Sequence, residues 1–200
     1  MSRRPDHALA AARAVAIGAL ARTVYRRLEW WERPFGANIP PLVEAGVPLE
    51  YDFLDLDAAL EWTAVHPDLD PDTVRERFAR GDRCHGSRHE GRQVTVSWAS
   101  TRTARVDWLD LVVPLPAEVF YHYDRYTVPD LRGLRIAPSS GSRLCRAMAD
   151  EGHTTLSCTV WPENPSALQN VVGFDMVNTG TLGWYGIGPL KRTFRHPYNG

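Results

Sequence analysis

The stretch YTVPDLRGLRIAPSSGSRL, from Tyr126 to Leu144, constrains the fold of this chain more than any other segment. It runs from an aromatic strand through a proline and an Arg-Gly pair into a segment that favours a helix. A strand that enters a glycine turn and then a helix directs several backbone N–H groups, and the positive helix end, toward one point. The stretch therefore predicts a phosphate-binding turn, in which Gly133 allows close approach and Arg132 and Arg135 add positive charge.

The segments around this turn predict a mixed α/β domain. Upstream, DPDTVRERFARGD predicts a helix that ends at Gly81, and RCHGSRHEGRQVTVSWAS alternates in period 2 on both sides of EGR, as a hairpin does. Strands are predicted in ARVDWLDLVVPLP and AEVFYHYDRYTV. After the turn come a helix near 137–151, a strand HTTLSCTVW, a short helix PSALQNVV and closing strands around GFDMV and LGWYGIG. One βαβ unit therefore lies near the centre of the domain.

The first 45 residues predict an arm that precedes this domain. Apolar positions from Leu9 to Leu28 keep helical spacing, and the run is interrupted by Arg13 and too short to span a membrane. A short aromatic strand, LEWWERPF, and a Pro/Gly-rich linker follow. We predict an N-terminal helix, strand and linker over 1–45 and one domain over 46–200.

Composition argues against several classes of protein. The net charge of −1 gives no indication of nucleic-acid binding. The three cysteines form no CxxC pair, so the sequence indicates a reducing, cytoplasmic location without a disulfide framework. His85 and His89 are four residues apart, which on a strand is about 13 Å, too far for one metal ion. We predict a cytoplasmic protein with no metal, no nucleic-acid partner and no membrane partner.

The order of motifs from Val128 to Phe174 resembles that of the GNAT superfamily, the acyl-CoA-dependent N-acyltransferases. The family pattern is roughly V-x-P-x-x-R-G-x-G-x-G/A, a helix ending in glycine, a strand, then N-x-x-A and G-F. This chain offers, in that order, Val128-Pro129, Arg132-Gly133, Ile136-Ala137, Gly152, Asn164, Ala167 and Gly173-Phe174. The resemblance covers about residues 46–188 and implies a central, mostly antiparallel sheet with flanking helices and one βαβ unit.

The resemblance implies a phosphopantetheine thioester as donor, carried either by CoA or by an acyl-carrier protein. The donor groove would lie between the strand that ends at Thr127 and the strand that ends at Trp161. The resemblance assigns to the donor Thr127, Val128, Arg132, Gly133, Arg135, Ile136, Ala137 and Asn164. Asn164 has the alternative role of capping the helix that follows it.

The chain departs from the family pattern at two positions that affect the chemistry. Arg135 stands where the family has its second glycine, and a guanidinium there suits the single phosphate of a carrier-bound arm. Val171 stands where family members often have the tyrosine that protonates the leaving thiolate. The position in the family pattern therefore does not identify the residue that protonates the leaving thiolate.

The acceptor implied by the resemblance is an amine, which must lose a proton to attack. An alkyl ammonium with a pKa of about 10.4 is almost fully protonated at neutral pH. Glu118 lies within one residue of the general-base position in the histone-type branch, and period 2 predicts Glu118, His122 and Asp124 on one strand face. These three are the predicted candidates for the base. The alternatives are a solvated charge at Glu118 and ion pairs of His122 and Asp124 with each other or with Arg125.

The sequence leaves two functions open. The first is an N-acyltransferase that acts on a small-molecule amine by direct attack on acyl-CoA or on an acylated carrier protein, as a monomer or a homodimer. The second is a catalytically inactive GNAT-like module that binds acyl-CoA or a partner. The missing tyrosine favours the second reading, and turnover separates the two.

Overall fold

The computed structural model describes residues 24–36 and 38–197 as a mixed α/β domain. Its strands are β1 Tyr25–Pro34, β2 Glu50–Leu54, β3 Arg83–His89, β4 Arg92–Ser100, β5 Thr103–Val106, β6 Leu111–Pro114, β7 Val119–Thr127, β8 Thr155–Val160, β9 Val177–Tyr185 and β10 Arg192–Pro197. Its helices are α1 Leu56–Leu60, α2 Pro71–Arg80, α3 Ile136–Asp150 and α4 Pro165–Gly173. Eight strands form one sheet in the order β10-β9-β1-β8-β7-β4-β3-β2. Only β7 and β8 pair in parallel there, so the predicted fold class is confirmed.

Local sequence signals set the ends of α2 and the turn between β3 and β4. The Asp70 carboxylate accepts the N–H groups of Asp72 and Thr73 at 2.9 Å, which caps α2. Gly81 ends the helix in the left-handed conformation at φ 85°. The hairpin turns at Glu90-Gly91, where both residues have positive φ, as a two-residue hairpin loop requires. The predicted helix end and the predicted hairpin are both present.

The strand predicted near residues 28–35 is present as β1, and it lies inside the main sheet. β1 pairs antiparallel with β8 on one side and with β9 on the other, so that Trp31 lies opposite both Cys158 and Asn178. The boundary expected at residue 45 places β1 in a separate N-terminal arm. In the structure, β1 is an internal strand of the sheet formed by the later residues. The predicted first helix falls mostly outside the described residues, and its last positions, 25–28, belong to β1 instead.

Two other predicted strand regions differ from the structure. The segment ARVDWLDLVVPLP forms two short strands, β5 and β6, which pair with each other outside the main sheet. The strand expected around GFDMV begins only at Val177, because α4 continues to Gly173.

The βαβ unit predicted near the centre of the chain consists of β7, α3 and β8. On one face of the sheet, α3 and α4 bury a cluster formed by Phe120, Leu144, Cys145, Met148, Leu156 and Val171. On the other face, α1 and α2 bury a cluster formed by Ala59, Trp62, Val74, Val96 and Trp98. Burial on this scale is the main stabilising contribution to such a domain. Every helix in the described ranges is too short or too polar to cross a lipid bilayer.

Candidate functional site

A cleft opens where β7 and β8 stop pairing. The two strands are in register from Val119 opposite Thr155 to Tyr121 opposite Ser157. Beyond these residues β7 continues to Thr127 and β8 to Val160 without further pairing between them. The strands enclose a cavity of about 330 Å³, lined by β7 from residue 122 to 125, by β8 from 158 to 160, and by parts of α3 and α4. The edge of β7 that faces β8 is thus open along the cleft.

β7 contains a bulge in this part of its length. Its pairing with β4 passes from Tyr123 opposite Trp98 to Tyr126 opposite Val96, which leaves two β7 residues facing one on β4. The first of the two, Asp124, has φ 47°. A bulge of this kind redirects the side chains that follow it.

The bulge places Asp124 and His122 on opposite faces of the sheet. The Asp124 carboxylate contacts Arg77 of α2. His122 lies opposite Ala99, which is buried against Leu144 of α3. The period-2 prediction that Glu118, His122 and Asp124 share one face is therefore wrong at Asp124, because the alternation of the strand is interrupted there.

Both carboxylate oxygens of Asp124 are already engaged. Oδ2 lies 2.5 Å from Nη1 of Arg77, and Oδ1 lies 3.3 Å from Nε2 of His66. Nδ1 of His66 accepts the backbone N–H of Asp68 at 3.1 Å, so Nε2 carries the ring proton and donates it to Asp124. Partial burial opposes the charge on Asp124, but the hydrogen bond from His66 and the charge of Arg77 outweigh it and lower the pKa of the carboxyl group. Asp124 is held ionised and fixes the bulge to α2.

His122 lies on the wall of the cleft, directly after the last residue of β7 that pairs with β8. Its Nε2 is buried and forms no hydrogen bond within residues 24–36 and 38–197. Burial, together with the charge of Arg125 and the proximity of His85, lowers the pKa of His122 to about 3. The imidazole is therefore neutral at physiological pH, and its buried Nε2 lacks a partner among the described residues.

Glu118 lies outside the cleft. It is exposed in the turn before β7, and its backbone carbonyl accepts the N–H groups of Thr154 and Thr155 at 2.8 and 3.1 Å. Four strand residues, or about 13 Å, separate it from His122. The structure thus brings neither Glu118 nor Asp124 together with His122.

The turn between β7 and α3 presents backbone N–H groups to solvent. Gly133 adopts φ 85°, and Arg135 adopts the left-handed conformation at φ 57° directly before the first residue of α3. Among the described residues, no backbone carbonyl accepts the N–H groups of Gly133, Leu134 or Arg135. Arg132 donates from Nε to the carbonyl of Thr127 at 3.1 Å, while the Arg135 side chain is exposed. This is the geometry of an anion-binding turn at a helix N terminus.

The remaining residues that the motif assigns to a donor have structural roles. Val128 and Ile136 are buried in the core, and the backbone groups of Val128 are already bonded, its N–H to the carbonyl of Val94 and its carbonyl to the N–H of Leu131. The Thr127 hydroxyl bonds to Thr95, and Ala137 is half-buried in the first turn of α3. Asn164 caps α4 by accepting the N–H of Ala167 at 3.1 Å, which is the capping role considered for it from the sequence.

The cleft offers no tyrosine hydroxyl at the place of Val171, which is buried in its wall. The Tyr121 hydroxyl bonds to Thr159 at 2.7 Å and that of Tyr123 to Asp82 at 2.9 Å, and burial raises the pKa of both. Burial also raises the pKa of the Cys158 thiol to about 12. In the described part of the chain, no three His, Cys, Asp or Glu residues converge in a way that could hold a metal ion.

The cleft also contains Arg125 and Gly141, which sequence reasoning missed as site residues. The Arg125 guanidinium extends toward α3, where a Cβ on Gly141 would lie 4.0 Å from its Nη1. No signal in the sequence locates this contact, because it depends on the bulge at Asp124.

Solved structures resemble this chain in fold. A protein named as an acetyltransferase of the GNAT family from Novosphingobium aromaticivorans aligns over 78% of this chain with a TM-score of 0.55 and 17% identity. The aminoglycoside N-acetyltransferase AAC(6')-Iy, bound to a bisubstrate analogue of CoA and acetylneamine, aligns over 64% of this chain and 89% of its own with a TM-score of 0.50 and 14% identity. A Drosophila protein aligns over 94% of this chain with a TM-score of 0.53 and 10% identity.

The chain spans 62% of the length of the Novosphingobium protein and 57% of that of the Drosophila protein. No family model and no curated protein matches the sequence. The chain has the fold of the GNAT acetyltransferases.

Proposed function

We propose that this chain transfers an acyl group from CoA to the amine of a small molecule, in the cleft between β7 and β8. One observation carries the proposal: the open edge of β7 leads directly into a turn with free N–H groups at the start of α3. An open strand edge pairs with the amide groups of an extended ligand as it would with another strand. The turn that follows suits the phosphates of the same ligand.

The proposed donor lies along β7 with its phosphates at Gly133, Leu134 and Arg135. Arg132 and Arg135 add positive charge beside the N–H groups of the turn. A cavity of about 330 Å³ lies at the lower end of the range for small-molecule sites. It suits the end of a pantetheine arm and its acyl group, with the nucleotide outside. The complex of AAC(6')-Iy with a CoA–acetylneamine analogue supports CoA as donor and an amine as acceptor.

The proposed reaction is direct attack of the amine nitrogen on the thioester carbonyl carbon. The C–N bond forms, the C–S bond breaks and the thiolate leaves. Backbone N–H groups on the open edge of β7 polarise the carbonyl oxygen as charge develops on it. His122 accepts the amine proton at Nε2, directly or through water. Its low pKa makes it a weak base, so the acceptor reacts as the neutral amine and loses its proton as the C–N bond forms.

A binding measurement and a turnover measurement test the proposal together. CoA and acetyl-CoA are titrated into the full chain by calorimetry, and thiol release from acetyl-CoA is followed with a panel of small primary amines. We expect one CoA site per chain and release that depends on both chain and amine. A chain that binds neither CoA nor acetyl-CoA contradicts the proposal. Binding without turnover on any amine favours the inactive acyl-CoA-binding module instead.

A further inference from the structure

The Arg125 guanidinium lies in the cleft on the same side of the sheet as His122. It belongs to the bulge of β7 and reaches toward α3, where Gly141 stands in the middle of the helix. Glycine is a poor helix former, and a Cβ at this position would make only an ordinary van der Waals contact with the guanidinium. The residue is exposed to solvent. Protein atoms on several sides lower its pKa, but an arginine keeps its charge throughout the physiological range.

Arg125 has no acidic partner in residues 24–36 and 38–197. Its neighbour Asp124 is turned to the opposite face and engaged by Arg77 and His66. Four other arginines near the same sheet and helices are each paired with a carboxylate: Arg33 with Asp175, Arg77 with Asp124, Arg83 with Glu151 and Arg143 with Glu44. Arg125 therefore keeps its hydrogen-bond donors for a group that is not part of the described chain.

Apart from Asp124, whose carboxylate is engaged by Arg77 and His66, the ionisable groups next to Arg125 in the cleft are uncharged. The His122 imidazole and the Cys158 thiol are both neutral at physiological pH, because burial lowers the pKa of the first and raises that of the second. The wall opposite is formed mainly by α4, where Ala167, Val171 and Phe174 line the cavity. A guanidinium without a counter-charge beside it attracts an anion, because the apolar wall opposite offers it no competing partner.

We propose that Arg125 binds a carboxylate carried by the ligand in the cleft, and that the acyl group of the donor carries it. The preferred donors are then thioesters of dicarboxylic acids, with the free carboxylate held bidentately by the guanidinium. Arg125 and His122 flank the bulge of β7 and both line the same cavity. The carboxylate of the acyl group and the thioester carbonyl would therefore occupy one cavity. A cation at this position also repels an acceptor in its ammonium form. The acyl group of the donor is therefore a better source of the carboxylate than the acceptor is. This inference rests on the proposed function.

The test measures donor preference in the parent chain, in Arg125→Gln and in a matched control, Arg146→Gln, which changes an exposed arginine on α3. Dissociation constants are measured by calorimetry for CoA, acetyl-CoA, malonyl-CoA and succinyl-CoA. Turnover of the acyl donors is measured with an amine that lacks a carboxylate. In the parent and in Arg146→Gln we expect one of the dicarboxylic donors to bind at least about tenfold more tightly than acetyl-CoA, as a charge-assisted hydrogen bond predicts. In Arg125→Gln we expect that ratio to fall to about one.

A second arm separates the two sources of a carboxylate. The acceptor is offered as an amino acid and as the corresponding decarboxylated amine, with acetyl-CoA as donor. A preference for the amino acid that disappears in Arg125→Gln, without any preference among donors, assigns the carboxylate to the acceptor and overturns the donor assignment. If the parent and Arg125→Gln each bind all donors with equal affinity and show no acceptor preference, Arg125 does not bind a carboxylate. The same conclusion follows if Arg125→Gln loses affinity equally for every donor, including CoA. A parent that binds CoA without discrimination refutes only this inference, whereas a parent that binds no CoA refutes the proposed function as well.

Discussion

Arg77 of α2 holds Asp124 by an ion pair of 2.5 Å at the residue where β7 bulges into the cleft. Arg77 is itself buried between the rings of Trp98 and Tyr123, at 4.9 and 5.1 Å from their centroids. The pair therefore connects the packing of α2 to the shape of the strand that lines the proposed site. Its contribution is to the position of β7 rather than to proton transfer.

The first prediction concerns this pair. Asp124→Asn leaves the buried Arg77 without its counter-charge, so we expect a loss of unfolding free energy of about 3 kcal/mol. Turnover should fall through misplacement of the open edge of β7, while the shape of its pH profile stays that of the parent. Chemical denaturation and a pH–rate profile check both points. Asp130→Asn, which removes an exposed pair with Arg92, serves as control and should change stability little.

The second prediction concerns proton transfer. His122→Gln should lower turnover by roughly 10²-fold, as loss of a positioned general base does. The pKa of His122 is lowered to about 3, so the imidazole stays neutral across pH 5 to 9 and the parent rate should show no inflection near 6.5. The rate should instead rise with pH as the acceptor amine loses its proton. Glu118→Gln, outside the cleft, and His89→Gln, near the β3–β4 turn, should keep parental rates. An inflection near pH 6.5 that disappears in His122→Gln would contradict the neutral form.

The third prediction separates ligand binding from backbone strain at the turn before α3. Gly133 and Gly152 have φ of 85° and 95°, and a Cβ at either would meet no atom within 4 Å. A valine at either position should therefore cost about 1–2 kcal/mol of stability from the left-handed conformation alone. Only Gly133→Val should abolish CoA binding in calorimetry, because its side chain occupies the space that the phosphates need. Equal CoA affinity in the two folded variants would remove the turn from the donor site.

The fourth prediction concerns the donor. Arg135 has φ 57°, a conformation that glycine adopts freely, so Arg135→Gly should keep the melting temperature of the parent or raise it slightly. If the exposed guanidinium holds a CoA phosphate, the variant should bind CoA about tenfold more weakly. The same acyl group presented on CoA and on an acyl-carrier protein supplies the comparison. A loss confined to the carrier-borne donor would identify the carrier protein as the natural partner.

The fifth prediction concerns stability in acid. His85 is buried, its Nδ1 lies 3.1 Å from the Ser140 hydroxyl, and burial lowers its pKa to about 4. The unfolded chain binds a proton at this histidine below about pH 6.5 and the folded chain does not, so stability falls as pH decreases between these values. At pH 5 the loss due to His85 is about 2 kcal/mol relative to neutral pH. His85→Gln should reduce the loss by that amount in urea denaturation at pH 7 and pH 5. Equal losses in parent and variant would show that His85 is protonated in the folded chain.

The features that could be predicted from the sequence are those that local chemistry decides. Gly81, Gly91 and Gly133 stand where the backbone needs positive φ, and these glycines marked a helix end, a hairpin and the proposed anion-binding turn. The helix expected near 137–151 is α3, at Ile136–Asp150. Each of these elements depends on residues that are neighbours in sequence.

The features that the sequence could not supply depend on residues distant along the chain. The bulge at Asp124 is fixed by pairing with β4 and by Arg77 and His66, which lie on other elements. Strict alternation along β7 therefore predicted the wrong face for Asp124. The same bulge directs Arg125 into the cleft, and no spacing rule within the strand indicates that.

The place of β1 between β8 and β9 has a consequence for how the chain is made. On the ribosome, β1 emerges well before the two strands that flank it. Until they arrive, its aromatic segment has neither edge covered, which favours association with chaperones or with other unfinished chains. Pairing between residues as distant as Trp31 and Cys158 also slows folding, because a long loop must close before either strand is stabilised. Deleting residues 25–34 would divide the finished sheet into a five-stranded block and a separate β9–β10 hairpin, since no other described strand joins them.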